Sequence, residues 1–135
     1  MSIKKIPLRS LLVNRANDRH GELENETAAI AWLFKEREQH MRNLARDITS
    51  QGEIYELPLV SPEADKYIVF DGNRRITCLK LLDDPRRAPS VELQGFFKEL
   101  RGQCKDDLFQ GVQCQVENDR DRMALLHKSR EGFIS

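Results

Sequence analysis

The segment 67–82 constrains the fold most, because it joins a strand pattern to a helix pattern through a single glycine. Residues 67–70 are β-branched or aromatic, and the apolar positions after Gly72 recur at helical spacing, at Ile76, Leu79 and Leu82. A strand that leads directly into a helix requires both elements to pack in one core. The sequence therefore predicts an α+β fold, with a small mixed sheet of about four strands packed against helices.

Length and charge limit the kind of site that the chain can carry. Its 135 residues suffice for one domain, spanning residues 1–135. Twenty-two basic and 22 acidic residues give a formal net charge of +0, which argues against a surface that binds nucleic acid everywhere. Because no apolar run could span a bilayer and the start lacks a secretory signal, we expect a cytoplasmic protein with no membrane partner. Two apolar residues near the end, Phe133 and Ile134, suggest the N-terminal part of a longer protein.

One apolar stripe predicts the main helix. Asn25 followed by Glu26 suits a helix start, since an Asn side chain caps free amides and an acid favours the positive helix end. Apolar residues then recur at steps of three, four and seven as far as Gly52, at Ile30, Leu33, Phe34, Met41, Leu44, Ala45 and Ile48. Either one helix, or two helices separated by a bend near His40, would produce this stripe.

The other elements follow from shorter patterns. Residues 57–60 and 67–70 flank turn-forming residues 61–65, which predicts an antiparallel strand pair. Residues 3–12 predict a short strand and a helical turn, followed by a polar loop over residues 14–21. Further along, we expect a helix at Val91–Arg101, a half-buried strand at Val112–Val116 and a last helix from Asn118 to Gly132.

Residues 71–75 form a candidate anion site. A helix that begins at a glycine directs free backbone amides at whatever lies above the turn, and those amides carry a partial positive charge. Gly72 permits a close approach, while Arg74 and Arg75 supply forked donors for phosphate. The alternative is structural, with both arginines on a solvated face or paired with Asp83 and Asp84.

Other polar clusters carry weaker signals. Residues 17–21 form either an ordinary turn or a binding loop. Residues 127–130 are basic, as the end of a helix favours. His20 and His127 are possible general bases, but no nearby Ser or Cys has the context of an activated nucleophile. The spacing of the three cysteines, Cys78, Cys104 and Cys114, matches no zinc or redox motif, so we expect buried, reduced thiols.

The order of these elements resembles the ParB N-terminal domain (ParB-like nuclease domain) of the ParB/sulfiredoxin superfamily, over nearly the whole chain. The family's most specific motif, Gly-Glu-Arg-Arg at a helix start, corresponds to residues 72–75, and its Pro-x-x-Asn-Pro-Arg-like loop corresponds to residues 14–19. Its Leu-Ala-x-x-Ile helix and the strand that follows correspond to residues 44–60. Two helical stretches, residues 22–40 and 91–101, are insertions relative to minimal ParB domains.

The resemblance implies a nucleotide site. Gly72, Asn73, Arg74 and Arg75 would contact the phosphates of CTP, as in ParB proper, or of ATP or another NTP. The polar-loop residues Asn17, Arg19 and His20 would close over the nucleotide, and Arg130 would join from the last helix. It also implies an association with DNA through a downstream domain, and it leaves open a homodimer.

Two departures from the family shift the expectation from catalysis toward binding. Asn73 replaces the usual Glu, and an amide is a poorer Mg²⁺ ligand and a poorer base than a carboxylate. Residues 127–130 replace a Glu-Asn pair with basic residues, which also argues against dependence on Mg²⁺. Sulfiredoxin has its reactive cysteine at the position of Asn73, so we do not expect that activity.

Three hypotheses remain open at this point. The first is a nucleotide-binding module with a regulatory or DNA-associated role. The second is an NTP hydrolase or a nuclease, for which Asp71 and His127 are the candidate catalytic residues. The third is a structural domain for protein interaction.

Overall fold

A five-stranded mixed sheet forms the centre of the computed structural model, which describes residues 2–17, 21–22, 25–119, 121–123 and 125–126. Its strands are β1 Ser2–Ile6, β2 Leu11–Val13, β5 Leu59–Glu63, β6 Lys66–Asp71 and β7 Val112–Val116. Their spatial order is β1-β7-β5-β6-β2. Strands β3 (Ala16–Asn17) and β4 (Gly21–Glu22) form a separate antiparallel pair. The predicted α+β class is confirmed.

Neighbouring strands run both parallel and antiparallel. β5 pairs with β6 in the predicted antiparallel sense, and β1 pairs with β7 likewise. The other two contacts, β2 with β6 and β5 with β7, are parallel. β6 lies between β5 and β2, and its last residue, Asp71, still pairs with Leu59 of β5, so the turn at Gly72 starts from a fixed position.

The predicted main helix is confirmed as α1, Glu26–Gln51. The Asn25 side chain accepts a hydrogen bond from the Ala28 amide, and Gly52 ends the helix in the left-handed conformation at φ 76°. The alternative of a bend near His40 is confirmed, since Arg37, three residues before His40, has a non-helical backbone (φ −144°, ψ 43°). This position falls between the two halves of the stripe, where residues 35–40 are all exposed and no packing enforces regular geometry.

Two shorter helices complete the layer that packs on the sheet. Helix α2 spans Asn73–Asp83, and α3 spans Val91–Arg101 as predicted. Short 3₁₀ turns lie at Leu8–Ser10, Pro85–Arg87 and Asp106–Phe109. The start of the last helix is capped by Asp119, whose carboxylate accepts hydrogen bonds from the amides of Asp121 and Arg122. Its predicted end at Gly132 lies outside the described residues.

The core lies between the helices and one face of the sheet. Val60, Val69 and Val116 on three adjacent strands pack in one cluster with apolar residues of all three helices. The helical members include Ile30, Met41, Ile48, Ile76, Leu79, Leu82, Leu93 and Phe97. Among the residues that the structure describes, no helix is long and apolar enough to cross a membrane.

Two sequence-based expectations about the sheet were wrong. Leu11 and Leu12 belong to strand β2, so the sheet has five strands rather than about four. Helical spacing misled here, because Leu8 lies in a 3₁₀ turn and the strand that follows is only three residues long. Strand β5 also continues through Pro62 to Glu63, which reduces the predicted turn 61–65 to Ala64 and Asp65.

Candidate anion-binding site

The turn between β6 and α2 is built around Gly72. Its φ of 97° is a left-handed backbone conformation that strains any residue with a side chain. A Cβ there would lie 3.2 Å from Arg75 Nη2 and 3.2 Å from Pro58 Cβ. Gly72 also offers no side-chain cap to the first amides of α2. The absence of a side chain at Gly72 thus leaves room for Arg75 Nη2 beside the start of α2.

Asn73 joins three elements through its side-chain amide. Its Oδ1 accepts a hydrogen bond from the Asn14 backbone amide at 2.8 Å, and its Nδ2 donates to the Val69 carbonyl at 3.0 Å. These partners fix the orientation of the amide, since one requires an acceptor and the other a donor. Asn73 therefore holds the first residue of the polar loop beside the start of α2.

Arg75 has unused hydrogen-bonding capacity. Its Nη1 forms an ion pair at 3.3 Å with Oε2 of Glu56, and the Arg75 side chain is only 17% exposed. Its Nε and Nη2 are buried and have no hydrogen-bond partner among the described residues. These two nitrogens form one edge of the guanidinium, the edge that binds two oxygens of a phosphate or carboxylate together. A buried donor without a partner is costly, so this edge favours an incoming anion.

Arg74 points to a different neighbour. Its Nη1 lies 3.3 Å from Nε2 of His40 on helix α1. Partial burial, together with the positive charges of Arg74 and Arg37, lowers the pKa of His40. A neutral imidazole accepts from Arg74, which explains why a histidine and an arginine lie so close together.

A partly buried ionic cluster lies farther along α2. The Glu26 carboxylate, at the start of α1, pairs with Lys80 at 3.1 Å and with Arg87 at 2.7 Å. It also accepts a hydrogen bond from the Val13 amide at 2.7 Å. The Lys80 side chain is only 6% exposed, and the cluster ties α1, α2 and the end of β2 together.

Burial and charge act in opposite directions on the pKa values of this cluster. Burial favours the neutral form of Glu26, but Lys80, Arg87 and the Val13 amide outweigh it, so the pKa of Glu26 is lowered. Burial lowers the pKa of Lys80, and the attraction of Glu26 only partly offsets this effect. Sequence reasoning missed this cluster, although Lys80 stands between Leu79 and Leu81 in an apolar run, which was a signal of burial.

The remaining predicted site residues divide into two groups. Asp71 ends β6, opposite Leu59, and is half-buried beside the turn. The backbone of Asn17 pairs with Gly21 in the β3–β4 pair. The side chain of Asn17 and the residues Arg19, His20, His127 and Arg130 lie outside the described residues, and their roles stay predictions.

The structural alternative expected Arg74 and Arg75 to pair with Asp83 and Asp84, and the structure shows other partners. Asp84 accepts hydrogen bonds from the backbone and side chain of Arg86, at 3.3 Å and 3.0 Å, rather than from Arg74 or Arg75. Arg75 pairs instead with Glu56, which lies in the segment before β5. That ion pair uses one of the three guanidinium nitrogens.

The cysteines are free thiols, as expected, and two of them are buried. Burial raises the pKa of Cys78 far above its usual range and that of Cys114 to about 12. Neither thiol forms a thiolate nucleophile near neutral pH. Among the described residues, no group of three His, Cys, Asp or Glu side chains could hold a metal ion.

A cavity of about 230 Å³ opens elsewhere, between the segment after α1 and the turn at Asp106–Phe109. Apolar side chains line it, together with the carboxylates of Glu53 and Asp107. None of residues 71–75 lines it. Because both charged groups are acidic, this cavity does not suit an anion.

Comparison with known proteins adds no assignment to this geometry. No protein-family model matches the chain, and no curated protein shows significant similarity to it.

Proposed function

We propose that this chain is a ParB-like nucleotide-binding module that holds the phosphates of CTP or another NTP at residues 71–75. The observation that carries the proposal is Arg75, whose Nε and Nη2 are buried without partners within the described structure. These donors lie beside Gly72, at the positive end of α2. A phosphate on this edge would receive two hydrogen bonds and a favourable helix-end charge.

The position of the polar loop supports a site that closes over its ligand. Because Asn73 Oδ1 binds the Asn14 amide, the loop leaves β2 directly beside the start of α2. Asn17, Arg19 and His20 follow within a few residues along the chain. This arrangement supports our proposal that they contact the nucleotide, with Arg130 approaching from the last helix.

The chemistry of Asn73 supports binding rather than hydrolysis. Both ends of its amide are already committed to backbone partners, at Asn14 and Val69. It therefore supplies neither a carboxylate for Mg²⁺ nor a base for water. A regulatory or DNA-associated role, in which the bound nucleotide biases an interface, requires neither group.

Thermal unfolding with a panel of ligands tests this function. CTP, ATP, GTP and a DNA duplex would be added with and without Mg²⁺, because a ligand that binds the folded state raises the melting temperature by mass action. We expect at least one nucleotide to stabilise the wild type and not Arg75→Ala. Arg86→Ala is the matched control, since the Arg86 side chain is 90% exposed and forms an ion pair with Asp84.

The outcomes separate the three hypotheses of the sequence. No stabilisation by any ligand would favour a structural interaction domain. Equal stabilisation of wild type and Arg75→Ala would move the site away from residues 71–75. Turnover of the nucleotide during the experiment would favour the hydrolase.

A further inference from the structure

The ion pair between Glu56 and Arg75 is asymmetric. Arg75 is 17% exposed and fixed in helix α2, whereas Glu56 is 61% exposed and lies in a coil segment between α1 and β5. Only one guanidinium nitrogen, Nη1, takes part in the pair. The pair therefore joins a largely buried cation in a helix to an exposed carboxylate in a coil segment.

Such an exposed carboxylate contributes little to stability, since water solvates it nearly as well as the arginine does. The unpaired Nε and Nη2 of Arg75, in contrast, are buried and gain a full hydrogen bond from any anion that reaches them. Loss of the exposed ion pair to Glu56 therefore costs less free energy than the two hydrogen bonds to Nε and Nη2 contribute. In this arrangement Glu56 occupies Nη1 and leaves the Nε and Nη2 edge of Arg75 for an anion.

We infer that Glu56 is the residue that sets phosphate affinity at this site, by holding Arg75 Nη1 in the free protein and yielding to the incoming phosphate. This inference rests on the proposed function. A phosphate on the Nε and Nη2 edge brings negative charge close to the Glu56 carboxylate. Its repulsion then exceeds what one pair to Nη1 supplies, and Glu56 turns to solvent.

The same geometry predicts how phosphate affinity changes when the negative charge of Glu56 is removed. Glu56→Gln keeps the size of the side chain and removes the negative charge that repels the ligand. Phosphate should therefore bind more tightly to this variant, roughly fivefold, as expected for one exposed charge interaction. A role of Glu56 in merely holding Arg75 in place predicts the opposite, weaker binding.

Calorimetric titration with inorganic phosphate, in the absence of Mg²⁺, tests the inference on four proteins: wild type, Glu56→Gln, Glu53→Gln and Arg75→Gln. Glu53 is the matched control, since it is an exposed carboxylate in the same segment. We expect tighter binding for Glu56→Gln, unchanged binding for Glu53→Gln and none for Arg75→Gln. Thermal unfolding of each variant confirms that it is folded at the titration temperature.

Each other outcome is decisive. If Arg75→Gln abolishes binding but Glu56→Gln leaves it unchanged or weaker, the inference is wrong and the proposed site stands. The titration is repeated with Mg²⁺ to test whether Glu56 is instead a metal ligand. If Glu56→Gln binds phosphate more weakly than wild type only when Mg²⁺ is present, Glu56 is a metal ligand and the inference is wrong. If neither wild type nor Glu56→Gln binds phosphate, while CTP and ATP also fail to stabilise the fold, the proposed function itself fails.

Discussion

At the scale of single residues, the Asn73 side chain fixes the geometry of the turn between β6 and α2. Its side chain must accept from the Asn14 amide and donate to the Val69 carbonyl at the same time. A carboxylate could accept but not donate, and it would face the carbonyl oxygen of Val69. The geometry of the turn thus requires an amide rather than a carboxylate at residue 73.

Substitution of Asn73 should show this dual role. We expect Asn73→Ala to destabilise the protein by about 1–3 kcal/mol, because it leaves two part-buried backbone groups without their partner. Asn73→Asp retains only the hydrogen bond to Asn14, so it should also destabilise the protein. The loss should be larger at neutral pH than at a pH where the new carboxyl group is protonated. Urea denaturation at two pH values measures both effects, and a stable Asn73→Asp at neutral pH would contradict the bridging role.

Two glycines with positive φ provide a second test at this scale. Gly52→Ala and Gly72→Ala each impose a left-handed conformation on alanine, which costs about 1–2 kcal/mol. At Gly52 the new Cβ meets nothing within 4 Å, whereas at Gly72 it presses on Arg75 Nη2 and Pro58. We expect both variants to lose stability in urea denaturation, but only Gly72→Ala to lose phosphate binding. Equal phosphate affinities of the two variants would exclude the contact between Gly72 and Arg75 as part of the site.

Sequence alone identified the arginine turn but not the partners of its residues. The strand, glycine and helix pattern located residues 71–75, since it depends only on local spacing. The partners Glu56 and His40 lie 19 and 34 positions before their arginines, and no periodicity reports such distant contacts. The ion pair to Glu56 was therefore found only in the structure.

At the scale of elements, the contact between α1 and α2 depends on Glu26. Glu26→Ala would leave Lys80, at 6% exposure, without its carboxylate and would release the Val13 amide. Loss of one partner of such a buried pair typically costs about 3–5 kcal/mol. We expect a loss of this size in chemical denaturation.

The exposed pair between Arg101 and Asp106 serves as the control for that experiment. Asp106 is 87% exposed, so Asp106→Ala should change the free energy of unfolding by less than about 1 kcal/mol. Similar effects of Glu26→Ala and Asp106→Ala would mean that burial of the cluster does not determine its contribution.

The second contact between these helices, His40 with Arg74, makes stability depend on pH. The pKa of His40 is lowered in the folded protein from its ordinary value of 6.5. Between the lowered pKa of the folded protein and the ordinary pKa of the unfolded chain, the unfolded chain binds more protons. The free energy of unfolding therefore falls as the pH drops below about 6.5. We expect His40→Gln to reduce this slope in denaturation curves between about pH 5 and pH 8. An unchanged slope would assign the pH dependence to other groups.

At the scale of the whole molecule, the sheet order places the candidate site at the end of a flanked strand. β6 has neighbours on both sides, β5 and β2, and its last residue leads into α2 within one glycine. Long, regular elements such as α1 and α3 were predictable from their stripes. Strand β2 and the parallel pairings were not, since a three-residue strand has too few positions to show a period of two.

The central claim is that the buried edge of Arg75 binds phosphate, and the side-chain Hε resonance of Arg75 in ¹⁵N NMR reports on it directly. In a titration with inorganic phosphate, we expect this resonance to shift in a saturable way and its exchange with water to slow, as Nε gains a hydrogen bond. Arg86, at 90% exposure, should show no comparable change. An Arg75 resonance that stays unchanged while phosphate or CTP is demonstrably bound would contradict the claim.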